Sequence, residues 1–430
     1  MGKEFLSLGI LDVFFRHVSL EEAPTSPTPT TYGTRVLVER AWASLVGLSK
    51  VGNVMRSDAK YGERIVEGWP GVFAWSQFIY SARIEPTNSP PEVKRAALDL
   101  ISGVWYSLSR SNIARKVMAN TKGSIELATH LWIIEDMKPP STIGIPAPSA
   151  ALDSLLSGDE IDVHDRVLKA AGLRVEDIVI ISMSRLRTAL DSPMLHEPRA
   201  TIYLDLISQL SRPPNHPLRL RFLNASIIVI CTKTAVKVTS LLNGKPVFHP
   251  GLLDLVVSSL GYLMNCLEST DGFSWVIQSL NAGLLQAFVD FAPHLSKICP
   301  EDRDMVLHIV QTLLSKYLVY RSVIQAVDGT IRKVQNSPNA KGINETLGAG
   351  AWRKFCDLAR ERHLVTLQAK SYKGKNATCD NVKVSSLDGF VSEVRTTNIS
   401  TSVKKSIPGT TSENAAHASI PCIVPGSVKS

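Results

Sequence analysis

Apolar residues return every three or four positions along most of this chain, the rhythm of helices that turn one face toward a core. In "PGLLDLVVSSLGYLMNCLES" (250–269), Leu253, Val256, Val257, Leu260, Leu263, Met264 and Leu267 keep that spacing, and Pro250 stands where a first-turn proline costs little. Next, "STDGFSWVIQSLNAG" offers Ser269, Thr270 or Asp271 as a helix cap and Gly283 as a stop, and "LLQAFVDFAPHL" is broken by Pro293. The stretch 300–334 supplies two further helices, with acids in the first turn and bases at the far end, as the helix dipole favours.

The first half repeats the style. "TRVLVERAWASLVGLSK", "PGVFAWSQFIYSARI", "PPEVKRAALDLISGVWYSLSR", "GSIELATHLWIIED", "VEDIVIISMSRLRTAL" and "HPLRLRFLNASIIVICTKTAVKVTSLL" carry helical spacing between Pro, Gly and Ser breaks. "IIVI" at 227–230 is the best strand candidate, yet it has no hairpin partner and reads as buried helix. The pattern predicts an all-α fold: antiparallel helices in an armadillo/HEAT-like stack with units of roughly 40 residues. No repeat signature is visible in the residues themselves, and a plain helical bundle is the alternative.

Breaks in the rhythm set the expected boundaries. Residues 1–33 form an N-terminal helix and a Pro/Thr-rich loop ("EEAPTSPTPTTYG"), 34–369 form the helical domain, and "DMKPPSTIGIPAPSAAL" (136–152) separates two helical blocks within it. From Lys370 onward the apolar periodicity stops, so 370–430 is expected to be a disordered tail that cannot offset its ordering entropy.

Composition changes this picture little. At 44% hydrophobic and 20% charged, the 430 residues suit a globular protein with ample core material. The net charge is +8, and the tail from Lys370 holds eight basic and four acidic residues, hence half of that excess. The basic balance is largely a tail property and gives no strong nucleic-acid footprint. Six scattered cysteines suit a reducing compartment rather than a disulfide framework. The N-terminal "MGKEFLSLGILDVFF" is a poor secretory signal, and the longest uncharged stretch, 272–289, is too polar for a membrane span. These features predict an intracellular protein, cytoplasmic or nuclear, with no membrane contact.

Candidate chemistry is sparse. The sequence has no Gly-rich phosphate loop, H-E-x-x-H, G-x-S-x-G or kinase motif set. Asp304 and His308 lie one turn apart and read as a solvated helix pair; His196, His216 and His294 stand beside loops and read as surface histidines. Cys231, Cys266 and Cys356 read as core thiols. The aromatic runs "GWPGVFAWSQFIY" and "GVWYSLS" read as packing groups, with a groove for a partner peptide as the alternative.

Several stretches together carry a family resemblance. "DLISGVWYSLSRSNIARKVM", "ELATHLWIIED", "LISQLSRPPNHPLR", "GYLMNCLESTDGFSWVIQSLNAGLLQAFVDF", "PEDRDMVLHIVQTLLSKYLVYRSVIQAVD" and "AWRKFCDLARERHLV…CDNVK" resemble the helical region of MYND-finger proteins of mushroom-forming fungi, over roughly 65–383. In that family a zinc finger follows the helices directly. The resemblance implies that Cys379 is the residual first metal ligand, and Val384 stands where its partner cysteine belongs.

A structural zinc site needs four Cys or His ligands, and beyond Cys379 only His417 and Cys422 remain, so no complete site is expected and zinc belongs to intact relatives. Read in a shifted frame, the codons of the last residues can encode MYND-like cysteine spacing, and "KVS" (383–385) is what a retained intron donor would encode. The resemblance implies a non-enzymatic protein-interaction scaffold for a protein partner, its finger lost. The alternatives are a MYND-associated lysine methyltransferase, which would need a strand-rich catalytic domain, or a basic helical nucleic-acid binder.

Overall fold

The computed structural model describes residues 9–26, 31–55, 59–135, 144–158, 162–172, 174–192, 195–244, 249–269 and 273–371. Among them every regular element is helical and no strand occurs, as the periodicity predicts. Helix continues to Ser371, two residues into the tail expected from Lys370, and residues 372–430, Cys379 among them, lie outside the described residues. The chain divides into two compact units after Ile227.

The first unit contains α1 (Ile10–His17), α2 (Tyr32–Met55), α3 (Ala59–Ile79), α4 (Pro91–Ser109), α5 (Asn112–Asn120), α6 (Ser124–Ile133), α7 (Ala147–Leu156), α8 (Val163–Ala171), α9 (Val175–Asp191), α10 (Glu197–Leu210) and α11 (Pro217–Asn224). Packing partners lie mostly two or three helices apart in sequence: α2 on α4, α4 on α7, α7 on α10, α3 on α5, α6 on α8. That offset is how helices stack in layers, each burying the face its predecessor leaves open.

The GWPG turn of α3 departs from expectation. Pro70 was a predicted break, yet α3 runs through it. The lost backbone bond is offset by burial, because Trp69, Val72 and Trp75 around it are 1%, 0% and 0% exposed. The two flanking glycines admit α1 and the chain after it. A Cβ at Gly68 would meet the Phe15 ring, and one at Gly71 would lie 2.0 Å from the Val18 carbonyl oxygen. Trp75 Nε1 donates to the Ser19 carbonyl at 3.2 Å and Arg64 Nε donates to Asp12 at 2.7 Å, so the N-terminal helix is held on this unit by backbone, ring and charge.

Two further differences have physical causes. Helix α7 begins at Ala147, inside the expected 136–152 separator, because "APSAAL" is small enough to be buried throughout. The run 216–242 is two helices rather than one: Ser226 adopts φ 65°, a left-handed conformation that ends α11.

The second unit holds α12 (Ile227–Asn243), α13 (Pro250–Ser269), α14 (Ser274–Ala282), α15 (Leu284–Phe291), α16 (Pro300–His308), α17 (Arg321–Gln335) and α18 (Ala349–Ser371). "IIVI" is helical, with Ile227 and Ile228 wholly buried. Gly283 stops α14 at φ 107° and Pro300 opens α16, both as predicted. Ser269 does not cap the next helix; its hydroxyl donates back to the Asn265 carbonyl, and Thr270 and Asp271 lie outside the described residues. Helix α13 is long and apolar enough to cross a membrane, and 61% of its apolar window is buried inside the protein.

Candidate functional site

In the first unit, α4 presents Pro91, Lys94, Arg95, Leu98 and Asp99 along one stripe, three to four residues apart. Opposite it stand Tyr80 and Ile84 from the π turn that extends α3 (Tyr80–Ile84), Ile134 and Glu135 after α6, residues 145–148 opening α7, and Arg199 and Tyr203 one turn apart on α10. Between them lies a cavity of about 460 Å³, within the roughly 300–1,000 Å³ range of ligand sites.

Glu135 anchors the floor. Its Oε2 accepts from the Ser149 backbone N–H and hydroxyl, both at 2.8 Å, and its Oε1 accepts from the Tyr203 hydroxyl at 2.8 Å. Ser149 lies in the first turn of α7, so a carboxylate from a distant element caps this helix in place of the missing local cap. Behind it Arg185 donates to the carbonyls of Ile133 and Glu135 at 3.2 and 3.0 Å, and its guanidinium lies 5.3 Å from the centre of the Trp132 ring. Burial pulls the Arg185 pKa down, with Glu135 opposing. Burial also pushes the Tyr203 hydroxyl up, and the Glu135 charge adds to this. Glu135 and Tyr203 are therefore committed to each other and to the scaffold.

Two other charged groups, Asp99 and Arg199, line the same cavity. Asp99 takes no hydrogen bond from a described residue; burial raises its pKa, Arg95 opposes the rise and the nearby Glu135 charge adds to it. Arg199 keeps a buried Nε without a hydrogen-bond partner. An uncompensated polar atom of this kind costs free energy, and because it is closed to solvent a ligand in the cavity would reach Arg199 through its terminal nitrogens instead.

The residues singled out in the sequence serve elsewhere. Trp69, Trp75 and Trp105 are packing groups: Trp69 and Trp105 meet edge-on at 5.2 Å, and their indole N–H groups reach Thr121 and Ser76 at 2.8 and 3.0 Å. Only Tyr80, at the end of that aromatic run, reaches the cavity. His308 pairs with Glu268 at 3.6 Å rather than with Asp304. His216 is no surface histidine: its Nδ1 accepts from the Leu218 N–H at 3.3 Å and caps α11, which leaves the proton on Nε2, 3.5 Å from Asp165.

His294, expected at the surface, is only 8% exposed. Lys297 Nζ donates to its Nδ1 at 3.3 Å, so Nε2 carries the proton and donates to Asn243 Oδ1 at 2.9 Å. Asn243 Nδ2 in turn donates to the Asp290 carbonyl at 3.0 Å, which ties α12 to the end of α15. His196 is exposed. Cys231, Cys266 and Cys356 are buried thiols, with Cys356 pushed up to about 12 by burial. Among the described residues no group of three or more His, Cys, Asp and Glu side chains could hold a metal ion.

Sequence reasoning missed the cavity because its polar groups come from separate helices. One signal was present: Asp99 interrupts the apolar run of α4, and Glu135 ends that of α6. No family model matches the chain, and neither a curated protein nor a solved structure matches it.

Proposed function

We propose that this chain is a non-enzymatic helical interaction scaffold that receives a segment of a protein partner in the α4–α10 cavity. The observation that supports this reading is the commitment of Glu135: both of its oxygens are already engaged by three donors. A carboxylate fixed in that way builds a receptor wall and is poorly placed to shuttle protons. Tyr203, donating to it and held in its protonated form, is likewise a wall group.

On this reading α13 is a core helix, in keeping with its buried residues from Leu252 to Leu267. The relationship to MYND-finger proteins belongs to the same proposal, with the finger lost beyond Cys379 and a protein partner recognised by the helices alone. Over residues 379–430 the candidate zinc donors are Cys379, His417 and Cys422, one fewer than the four of a structural site.

Affinity capture with the full chain and with Leu98→Arg, which places a charge in the cavity wall, tests the scaffold reading. Partners held by the first and lost by the second are expected, with circular dichroism showing that the variant folds; identical capture by both would refute the cavity's role. Metal analysis of the purified chain tests the lost finger. Near-zero zinc is expected, and stoichiometric zinc would overturn it.

A further inference from the structure

The cavity's charges specify more than a generic apolar pocket would. Its lining holds three cations (Lys94, Arg95 and Arg199) and three carboxylates (Glu85, Asp99 and Glu135), so its formal charge sums to zero. Within that balance two groups of opposite sign line the cavity without a hydrogen bond to a described residue: the Arg199 guanidinium, which a ligand would reach through its terminal nitrogens, and the half-buried Asp99 carboxylate. Leu98 and Ile84, 8% and 6% exposed, supply apolar wall.

A ligand of one net charge would gain from one of these groups and lose to the other. A ligand with both signs and an apolar centre satisfies both at once, and opposite charges in a partly desolvated site attract more strongly than in water. We infer that the site recognises a peptide segment in which an apolar side chain stands between a basic and an acidic one. In that pose the peptide carboxylate accepts from Arg199, the peptide ammonium or guanidinium donates to Asp99, and the apolar side chain lies on Leu98. This rests on the scaffold reading and narrows it from a protein partner to a sequence type.

Titration calorimetry on the full chain tests it with acetyl-Lys-Leu-Glu-amide and its single-charge forms acetyl-Lys-Leu-Gln-amide and acetyl-Gln-Leu-Glu-amide. The mixed-charge peptide is expected to bind at least about tenfold more tightly than either, a difference typical of one charged hydrogen bond. Asp99→Asn should erase the advantage over the Gln-Leu-Glu form and leave binding of that form unchanged. Arg199→Gln should do the same for the Lys-Leu-Gln form. These pairwise readouts remain valid if a variant is less stable, because each compares two peptides on one protein.

Equal binding of all three peptides, or no saturable binding, overturns the inference. Tighter binding of free leucine also overturns it, by assigning the site to a small zwitterion. If the peptides fail while Leu98→Arg still loses captured partners, the ligand chemistry is wrong and the scaffold reading survives.

Discussion

Replacing Gly71 with alanine sets two physical effects against each other. Inside α3, alanine is the better helix former by about 1 kcal/mol, so propensity alone predicts a more stable protein. The added Cβ, however, would lie 2.0 Å from the Val18 carbonyl oxygen, 3.0 Å from the Leu20 nitrogen and 3.1 Å from the Ser19 carbonyl carbon. These are backbone atoms and cannot rotate aside, so the segment must retreat. Retreat weakens the Trp75 bond to the Ser19 carbonyl and uncovers Leu11, Phe15 and Val18, now 4%, 5% and 0% exposed.

Fully releasing three such side chains forfeits roughly 1.5–3 kcal/mol each, less the chain entropy regained. A partial shift still costs about 1–3 kcal/mol as overpacking. Because the closest approach is 2.0 Å to a backbone atom, the cost falls in the upper half of that range, about 2–3 kcal/mol, so Gly71→Ala is expected to destabilise by about 1–2 kcal/mol after its propensity gain. Gly329→Ala is the control: it lies in α17 with nothing within 4 Å of its added Cβ, and it should gain roughly 0.5–1 kcal/mol. Urea unfolding followed by circular dichroism measures both. A Gly71→Ala protein as stable as the parent, or more so, would refute the claim that α1 is seated against the glycines of α3.

Other expectations follow from single residues. Tyr203→Phe removes the phenolic donor to Glu135 Oε1 and should cost roughly 1–3 kcal/mol in urea unfolding. Ser226→Gly relieves a left-handed serine and should gain about 0.5 kcal/mol, visible as a higher unfolding midpoint. Burial lowers the His294 pKa below the ordinary 6.5, with Lys297 adding to the effect. Its contribution to stability is thus complete above that value and is lost as pH falls through the depressed pKa. Burial lowers His164 in the same sense. The drop in melting temperature between about pH 7.5 and about pH 5 should shrink in His294→Gln; an unchanged drop would contradict the buried neutral ring.

Helices proved legible wherever packing followed local rhythm. "PGLLDLVVSSLGYLMNCLES" became α13 with the predicted start at Pro250, and the apolar cysteines became core thiols, because both depend on spacing along one helix. Pro70 misled because its local cost is outweighed by the burial of Trp69 and Trp75, a tertiary gain that no window of residues displays. His294 misled for a similar reason: its partners Asn243 and Lys297 lie 51 and 3 residues away, and only the fold brings both to one ring. The cavity was the least legible, since Asp99, Glu135, Arg199 and Tyr203 converge only once α4, α6, α7 and α10 have stacked.

The π turn at Tyr80–Ile84 gives this part of the cavity wall one residue of slack in chain length. Such a turn carries an extra residue compared with an α turn. Deleting that extra residue would let the turn close with α spacing and leave Ile84 and Glu85 near their present places in the wall, whereas the same deletion within α4 would turn every later residue of that helix by about 100°.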